Sequence, residues 1–495
     1  MLIDQELAEM IINLFSELSK DIAIKAHEYI GTHNSITGYC RYPILQPKIE
    51  CDDPETQRII DEIPYIKHKI PRYELKDFPK ERIHYHAIFD RYSNDKINII
   101  DEKKFKDLYE KIISNEKLKL CFFGDDKTSE YTIKNIIVDI VTRYLYSTNA
   151  TQEVPTDIDE LLKKIILQKM WRYIGDSLKI DICVPLCLIT FEEDSIQLSE
   201  TIEIVRIPEE IQKSRKQACQ YETQNEDSIA SCATHMIVLH GYHFENTDFL
   251  SINYVTRNYN AYPLDEIDCV LAIIRIVTGY TCGYEQLLTQ PLDWLDSTFE
   301  DLQPLYGAKS HFINPRETEK HWMQLNISLV NTSQIEIIRN LYSSLCAIKE
   351  SGNNDKLLFS LKRLNRCMLR NDNDDMAIDA TIGLESLLAG GTMGEITYTI
   401  SNRIPIVFSI EQDTRYSPNE CRNLMKKIYG YRSGVVHGRR LKDSEKYYEV
   451  QGEKTEIEHI AVDFLRQALL FILKNPAFLD VKKFDEYNDE AITRA

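Results

Sequence analysis

Residues 428–438 read Ile428-Tyr-Gly-Tyr-Arg-Ser-Gly-Val-Val-His-Gly438, and placing this stretch at the end of a helix decides how the last third of the chain is read. Arg432 is an obligate cation, and His437 carries an imidazole, the side chain suited to taking and giving protons. Metal-free cleavage of a phosphodiester needs such a pair, a fixed charge for the phosphate and a carrier for the proton. Five steps of about 100° put the two side chains on roughly opposite flanks of an ideal helix. To meet at one phosphate, either the helix must end between them, which Gly434 permits, or two copies of the chain must each present the pair across a twofold axis. Gly430, Gly434 and Gly438 fall at every fourth position and form a bare stripe, a candidate dimer interface, although each glycine costs about 1 kcal/mol relative to alanine in a helix. The ordinary account of the same residues is a frayed helix end capped by Gly438.

The helical period extends on both sides of this stretch. Ile335, Ile338, Leu341, Leu345 and Ile348 mark one helix, and Leu357, Leu358, Leu361, Leu364 and Met368 a second. A third runs from Asp374 to Leu388 and stops at Gly390-Gly391, and a fourth covers 396–410. Leu424, Ile428 and Tyr431 belong to the fifth, and Ile457, Val462, Leu465, Leu469 and Ile472 to the sixth. Short connections between them predict a bundle. Upstream, residues 180–292 are expected to be dominated by strands, with short apolar runs at 182–191, 202–207, 236–239 and 252–255 and a longer one at 267–281. The first region opens with Leu7, Met10, Ile11, Leu14 and Leu18 at helical spacing and becomes irregular and aromatic near Tyr65, Tyr73, Tyr85 and Tyr92. The expected fold class is α+β and multidomain, a C-terminal all-α bundle preceded by a mixed, strand-rich N-terminal region. The expected order is an N-terminal region of unassigned fold (1–155), a strand-rich regulatory or sensing domain (156–310), a linker (311–330), the helical domain (331–478) and a tail (479–495).

At 495 residues, with 43% hydrophobic and 28% charged side chains, the chain has the composition of a multidomain globular protein. It has no run of eighteen apolar residues, and its start, Met1-Leu-Ile-Asp-Gln-Glu-Leu7, carries acids where a secretory signal carries lysines. A soluble, cytoplasmic protein without membrane contact is expected. The cysteines are scattered without a CxxC pair, and the closest spacing, Cys183-Val-Pro-Leu-Cys187, lies in a strand-like run, so reduced buried thiols are expected. The sequons at Asn149, Asn326 and Asn331 carry no meaning without secretion.

A net charge of −19 argues against a surface that binds nucleic acid all over. Any RNA contact must be local, and residues 426–442 offer Lys426, Lys427, Arg432, Arg439, Arg440 and Lys442 with no acid among them. A basic helix end facing its own dipole is the simpler use of these charges.

Three segments in this order and spacing, Leu361-Lys-Arg-Leu-Asn-Arg366, Asp375-Met-Ala-Ile-Asp-Ala-Thr-Ile-Gly-Leu-Glu-Ser-Leu-Leu388 and Ile428 to Gly438, resemble the HEPN superfamily, and most of all its Apea-like branch. The resemblance covers residues 331–475. More loosely, residues 184–207 and 265–287 are similar to the region preceding this domain in bacterial phage-resistance proteins. The resemblance implies an all-helical domain that dimerises into a metal-independent ribonuclease site, with no cofactor. Arg432 and His437 would be the catalytic pair: Arg432 holds the non-bridging phosphate oxygens, and His437 moves a proton between the 2′-hydroxyl and the leaving 5′-oxygen. It further implies RNA as substrate, transfer RNA being the family-level expectation, a role in abortive-infection defence, and a phage-derived trigger acting through the N-terminal region. Many nuclease members place Asn, Asp or His after the arginine, whereas this chain has Ser433, whose hydroxyl still donates and accepts. The rival readings are a non-catalytic dimerisation or RNA-binding scaffold and the toxin of a toxin–antitoxin pair.

Glu385, in the helix that usually faces the site, is expected either to orient the catalytic pair or to meet a structural arginine such as Arg366. Tyr431 either stacks on a base or packs in the core. His84-Tyr-His86 on one strand face and the group His235, His240 and His243 are weak metal candidates, set aside in favour of no metal site. Asp375 and Asp379 look like a carboxylate pair but have an ordinary use against the helix dipole. Gly390-Gly-Thr-Met-Gly394 lacks the lysine of a phosphate loop.

Overall fold

Asp4 accepts a hydrogen bond from Leu7 N and opens the long helix Gln5–Thr32, whose Ala8, Ile11, Phe15, Leu18 and Ile22 are buried. In the computed structural model, which describes residues 1–33, 36, 40–89, 96–124, 127–218, 232–296, 301–308, 327–352, 354–390, 396–450 and 452–494, this helix packs against helices Glu130–Ser147 and Ile158–Ile174. Together with Lys103–Ile113 and Glu116–Phe123 they enclose one apolar core. The chain divides into two compact units. One comprises Met1–Pro185, Val205–Tyr262 and Tyr284–Phe312, and the other Leu186–Ile204, Pro263–Gly283 and Ile313–Ala495. These boundaries differ from the sequence expectation at residue 155, because helix Ile158–Ile174 buries its apolar face among the N-terminal helices.

Within the first unit, strand Ser177–Cys187 runs antiparallel to His235–Glu245 (Cys183 opposite Val238) and to Leu287–Pro291 (Cys183 opposite Leu288). Tyr306–Ala308 pairs on the outer side of Leu287–Pro291. A separate hairpin pairs Arg41–Leu45 with Tyr73–Asp77. Lys169, 2% exposed, donates to Asp139 at 2.9 Å and also to Asp296. Asp296 in turn accepts from the Tyr306 hydroxyl at 2.5 Å. Burial opposes the charge on Lys169, and the two carboxylates outweigh it and raise its pKa. This is a satisfied buried network, and it ties a helix to the sheet.

The second unit is mainly helical. Its six long helices in the expected region are Thr332–Glu350, Asp355–Leu369, Asn373–Leu388, Ile396–Ile410, Pro418–Val436 and Ile457–Lys474. Ile457–Lys474 touches each of the other five and buries Phe464, Leu465, Leu469 and Ile472 among them. Asn331, one of the sequons, instead caps the first helix in a capping box with Gln334.

Several expectations are corrected. The apolar run 267–281 is not a strand but helix Leu264–Thr278, with Asp265 and Glu266 in its first turn and Gly279 (φ 70°) closing its end. It lies against helices Asp355–Leu369 and Thr332–Glu350. A run apolar on all sides has no period that separates a buried helix from a strand. Its buried Arg275 donates to Asn365 Oδ1 at 2.6 Å and to the carbonyl of Cys282. Residues 252–255 likewise fall in a short helix, Ser251–Val255. Residues 186–204 join the helical unit, where Ser328–Val330 pairs in parallel with Ile189–Phe191 and Arg339 meets Glu193 at 2.5 Å. Residues 479–495 are no free tail, for helix Lys482–Arg494 buries Phe484, and its Asp485 pairs with Arg403 at 2.9 Å. Tyr92, Asn326, Gly391 to Gly394 and most of the expected linker lie outside the described residues.

Candidate active site

Ser417 starts the helix that carries the pair: its hydroxyl accepts from Glu420 N, the Glu420 carboxylate accepts from Ser417 N, and Pro418 takes the first helical position. The helix then runs unbroken through Arg432 and Gly434 to Val436, and His437 is its C-cap. It therefore does not end between the two residues, and the first of the two ways of bringing them together is removed. What ends it is Gly438, at φ 62°. Gly438 N donates to Val435 O at 2.9 Å and Arg439 N to Gly434 O at 2.8 Å, the double hydrogen bond of a Schellman motif. The chain then folds back, and a Cβ on Gly434 would lie 2.5 Å from Leu441 Cδ2. Gly434 is thus filled by its own chain, a correction to the glycine stripe as a whole. Gly430 and Gly438 have open space where a Cβ would stand.

His437 and Ser433 are exposed. Arg432 is half-buried, its Nε is enclosed, and it has no hydrogen bond or ion pair among the described residues. One turn before it, Tyr429 donates from its hydroxyl to Glu385 Oε1 at 2.8 Å. Burial raises the Tyr429 pKa well above its ordinary value, Glu385 adds to the rise, and the charge of Arg432 opposes it. Glu385 therefore faces the arginine helix through Tyr429 and not through Arg366, which is exposed. Tyr429 is not among the residues that the sequence singles out, whereas its neighbour Tyr431 is. The signal was its position three residues before Arg432, which shares a helix flank.

Tyr431 is 4% exposed and donates to Asp374 Oδ1 at 2.7 Å. It is a packing residue and not a platform for a base. The basic candidates also divide. Arg439 is clasped by Glu445 at 2.8 and 3.2 Å, and Lys427 donates to Tyr447 O at 2.6 Å and stands over the Tyr448 ring. Hydrogen bonding from Arg439 and from Lys442 N lowers the Glu445 pKa to about 2. Lys426, Arg440 and Lys442 remain exposed.

The other candidates disperse. Asp379 is buried between Arg363 (2.5 Å) and Arg370 (3.1 Å), so it serves an ion pair and not the helix dipole. His84 precedes the 3-10 helix Tyr85–Phe89 and is not on a strand, and His240 meets Asp181 at 3.0 Å. The described residues contain no group of three or more His, Cys, Asp or Glu side chains able to hold a metal ion. Each described cysteine is free, and no described helix is long and apolar enough to cross a membrane. No family model matches the chain, and no curated protein or solved structure matches it either.

Proposed function

We propose that the helical unit is a metal-independent endoribonuclease of the HEPN type that works as a dimer. The observation that carries this reading is an arginine with no hydrogen bond or ion pair among the described residues, followed at the exposed end of the same helix by an exposed histidine. An enclosed guanidinium nitrogen without a hydrogen-bond partner calls for an acceptor, which an anion supplies. Because the helix continues between the two, they diverge by about 140°, so one phosphate would be held by Arg432 and His437 drawn from both copies. The exposed face around Gly430 suits such an approach.

In the proposed reaction His437 takes the proton of the 2′-hydroxyl, the 2′-oxygen bonds to phosphorus, and the bond to the 5′-oxygen breaks. His437 gives the proton it took to the leaving 5′-oxygen, which leaves a 2′,3′-cyclic phosphate and a 5′-hydroxyl. Arg432 stabilises the charge that builds on the non-bridging oxygens. Tyr429 and Glu385 would position Arg432, and Ser433 lies beside it. The remaining unit would hold the nuclease inactive until a phage-derived trigger appears, as abortive infection requires. Cellular RNA from cells expressing the wild type, Arg432→Ala and His437→Ala, with and without phage challenge, tests the reading. New 5′-hydroxyl ends should appear with the wild type and fall about 10²- to 10⁴-fold in each variant. Identical ends from all three folded proteins under a protective challenge would leave the bundle as a scaffold.

A further inference from the structure

Behind the arginine helix, on the side of Tyr431, lies a cavity of about 220 Å³ lined by Asp372, Asn373, Asp374, Tyr431, Lys446, Tyr447, Glu456 and Glu458. Four carboxylates face it against one ammonium group. Asn373 Nδ2 donates to Glu458 Oε1 at 2.7 Å and to Glu456 Oε2 at 3.3 Å, and Tyr431 occupies Asp374 Oδ1. These bonds leave one oxygen stranded. Glu458 is 4% exposed, and its Oε2 has no partner among the described residues.

A buried carboxylate oxygen without a donor is rare enough to need a cause, and a cationic ligand supplies one. A single bare metal ion does not fit, since the described carboxylates do not gather into a metal-holding group. An extended organic cation fits better, because separated charges can reach separated carboxylates, and each ammonium brings three donors to oxygens that only accept.

We propose that this cavity binds an aliphatic di- or polyammonium ion, with Glu458 and Asp374 as its principal anchors. The proposal does not depend on the nuclease reading. Burial raises the Glu458 pKa, so the carboxylate gains by meeting a positive charge.

Titration calorimetry on the full chain, with putrescine and spermidine as probes and butylamine and Mg²⁺ as controls, tests it. One amine site per chain is expected, weakened at least tenfold by Glu458→Gln and by Asp374→Asn, with butylamine at least tenfold weaker than putrescine. Glu458→Gln keeps the shape and removes a buried charge, and Asp374→Asn keeps an acceptor for Tyr431, so each control of folding is independent. Absence of a saturable site in the wild type would overturn the proposal. So would equal binding by both folded variants, or competition by Mg²⁺ at equal charge concentration, which would mark diffuse attraction to an acidic protein.

Discussion

Alanine in place of Gly430 and of Gly438, one at a time, should move the same helix in opposite directions. Gly430 is an interior helical residue with open space where a Cβ would stand. Alanine there should stabilise the helix by about 1 kcal/mol. Gly438 has equally open space but sits at φ 62°, where an L side chain meets its own backbone. That conformation costs about 1–2 kcal/mol, partly offset by the smaller freedom of the unfolded chain, for a net loss near 1 kcal/mol. The two variants should therefore differ by roughly 2 kcal/mol, or about thirtyfold in the opening equilibrium. Hydrogen exchange followed by mass spectrometry over residues 424–441 of the full chain reads that difference directly. Lower protection in Gly430→Ala would refute the open-space reasoning, and sedimentation of that variant against wild type would then show whether a second copy fills the space. Unchanged protection in Gly438→Ala would refute the Schellman cap.

Asp379→Ala takes the buried carboxylate from Arg363 and one of two carboxylates from Arg370 and should cost about 3 kcal/mol, while Asp375→Ala, at the exposed 3.6 Å pair with Arg370, should stay within about 0.5 kcal/mol; comparable melting of the two variants would contradict the structure. Tyr429→Phe removes the donor to Glu385 and should cost about 1 kcal/mol and, under the proposed nuclease reading, reduce RNA cleavage without abolishing it. Cleavage at the wild-type rate would take Tyr429 out of the positioning role. Glu445 has its pKa lowered from 4.5 to about 2, so its clasp on Arg439 is complete above pH 4.5 and is lost as pH falls toward 2. An NMR titration of the Glu445 carboxyl with a midpoint near 4.5 would refute the clasp, and Glu445→Gln should free Arg439 and, under the proposed nuclease reading, steepen the salt dependence of RNA binding by about one unit.

The period of the C-terminal helices was legible because each buries one stripe, as in Ile335, Ile338, Leu341 and Leu345. The helix Leu264–Thr278 was not legible, since nearly every side from Ile267 to Ile276 is buried and the pattern has no polar face to betray its period. The last helix escaped for the opposite reason: most of its residues are polar, and within 482–490 Phe484 alone is buried, which does not make a stripe.

The candidate site divides in the same way. Sequence by itself determined that Arg432 and His437 lie five residues apart at a glycine-rich helix end, because spacing fixes angles along a helix and glycine marks where φ turns positive. Only the tertiary structure decided that the helix persists to His437, that Gly434 is occupied by Leu441, that Arg439 is tied to Glu445, and that Tyr429 rather than Tyr431 stands with Arg432 and Glu385. Those outcomes depend on which segments return to pack against the helix. Such contacts join residues far apart in the chain, and local propensity and spacing carry no record of them.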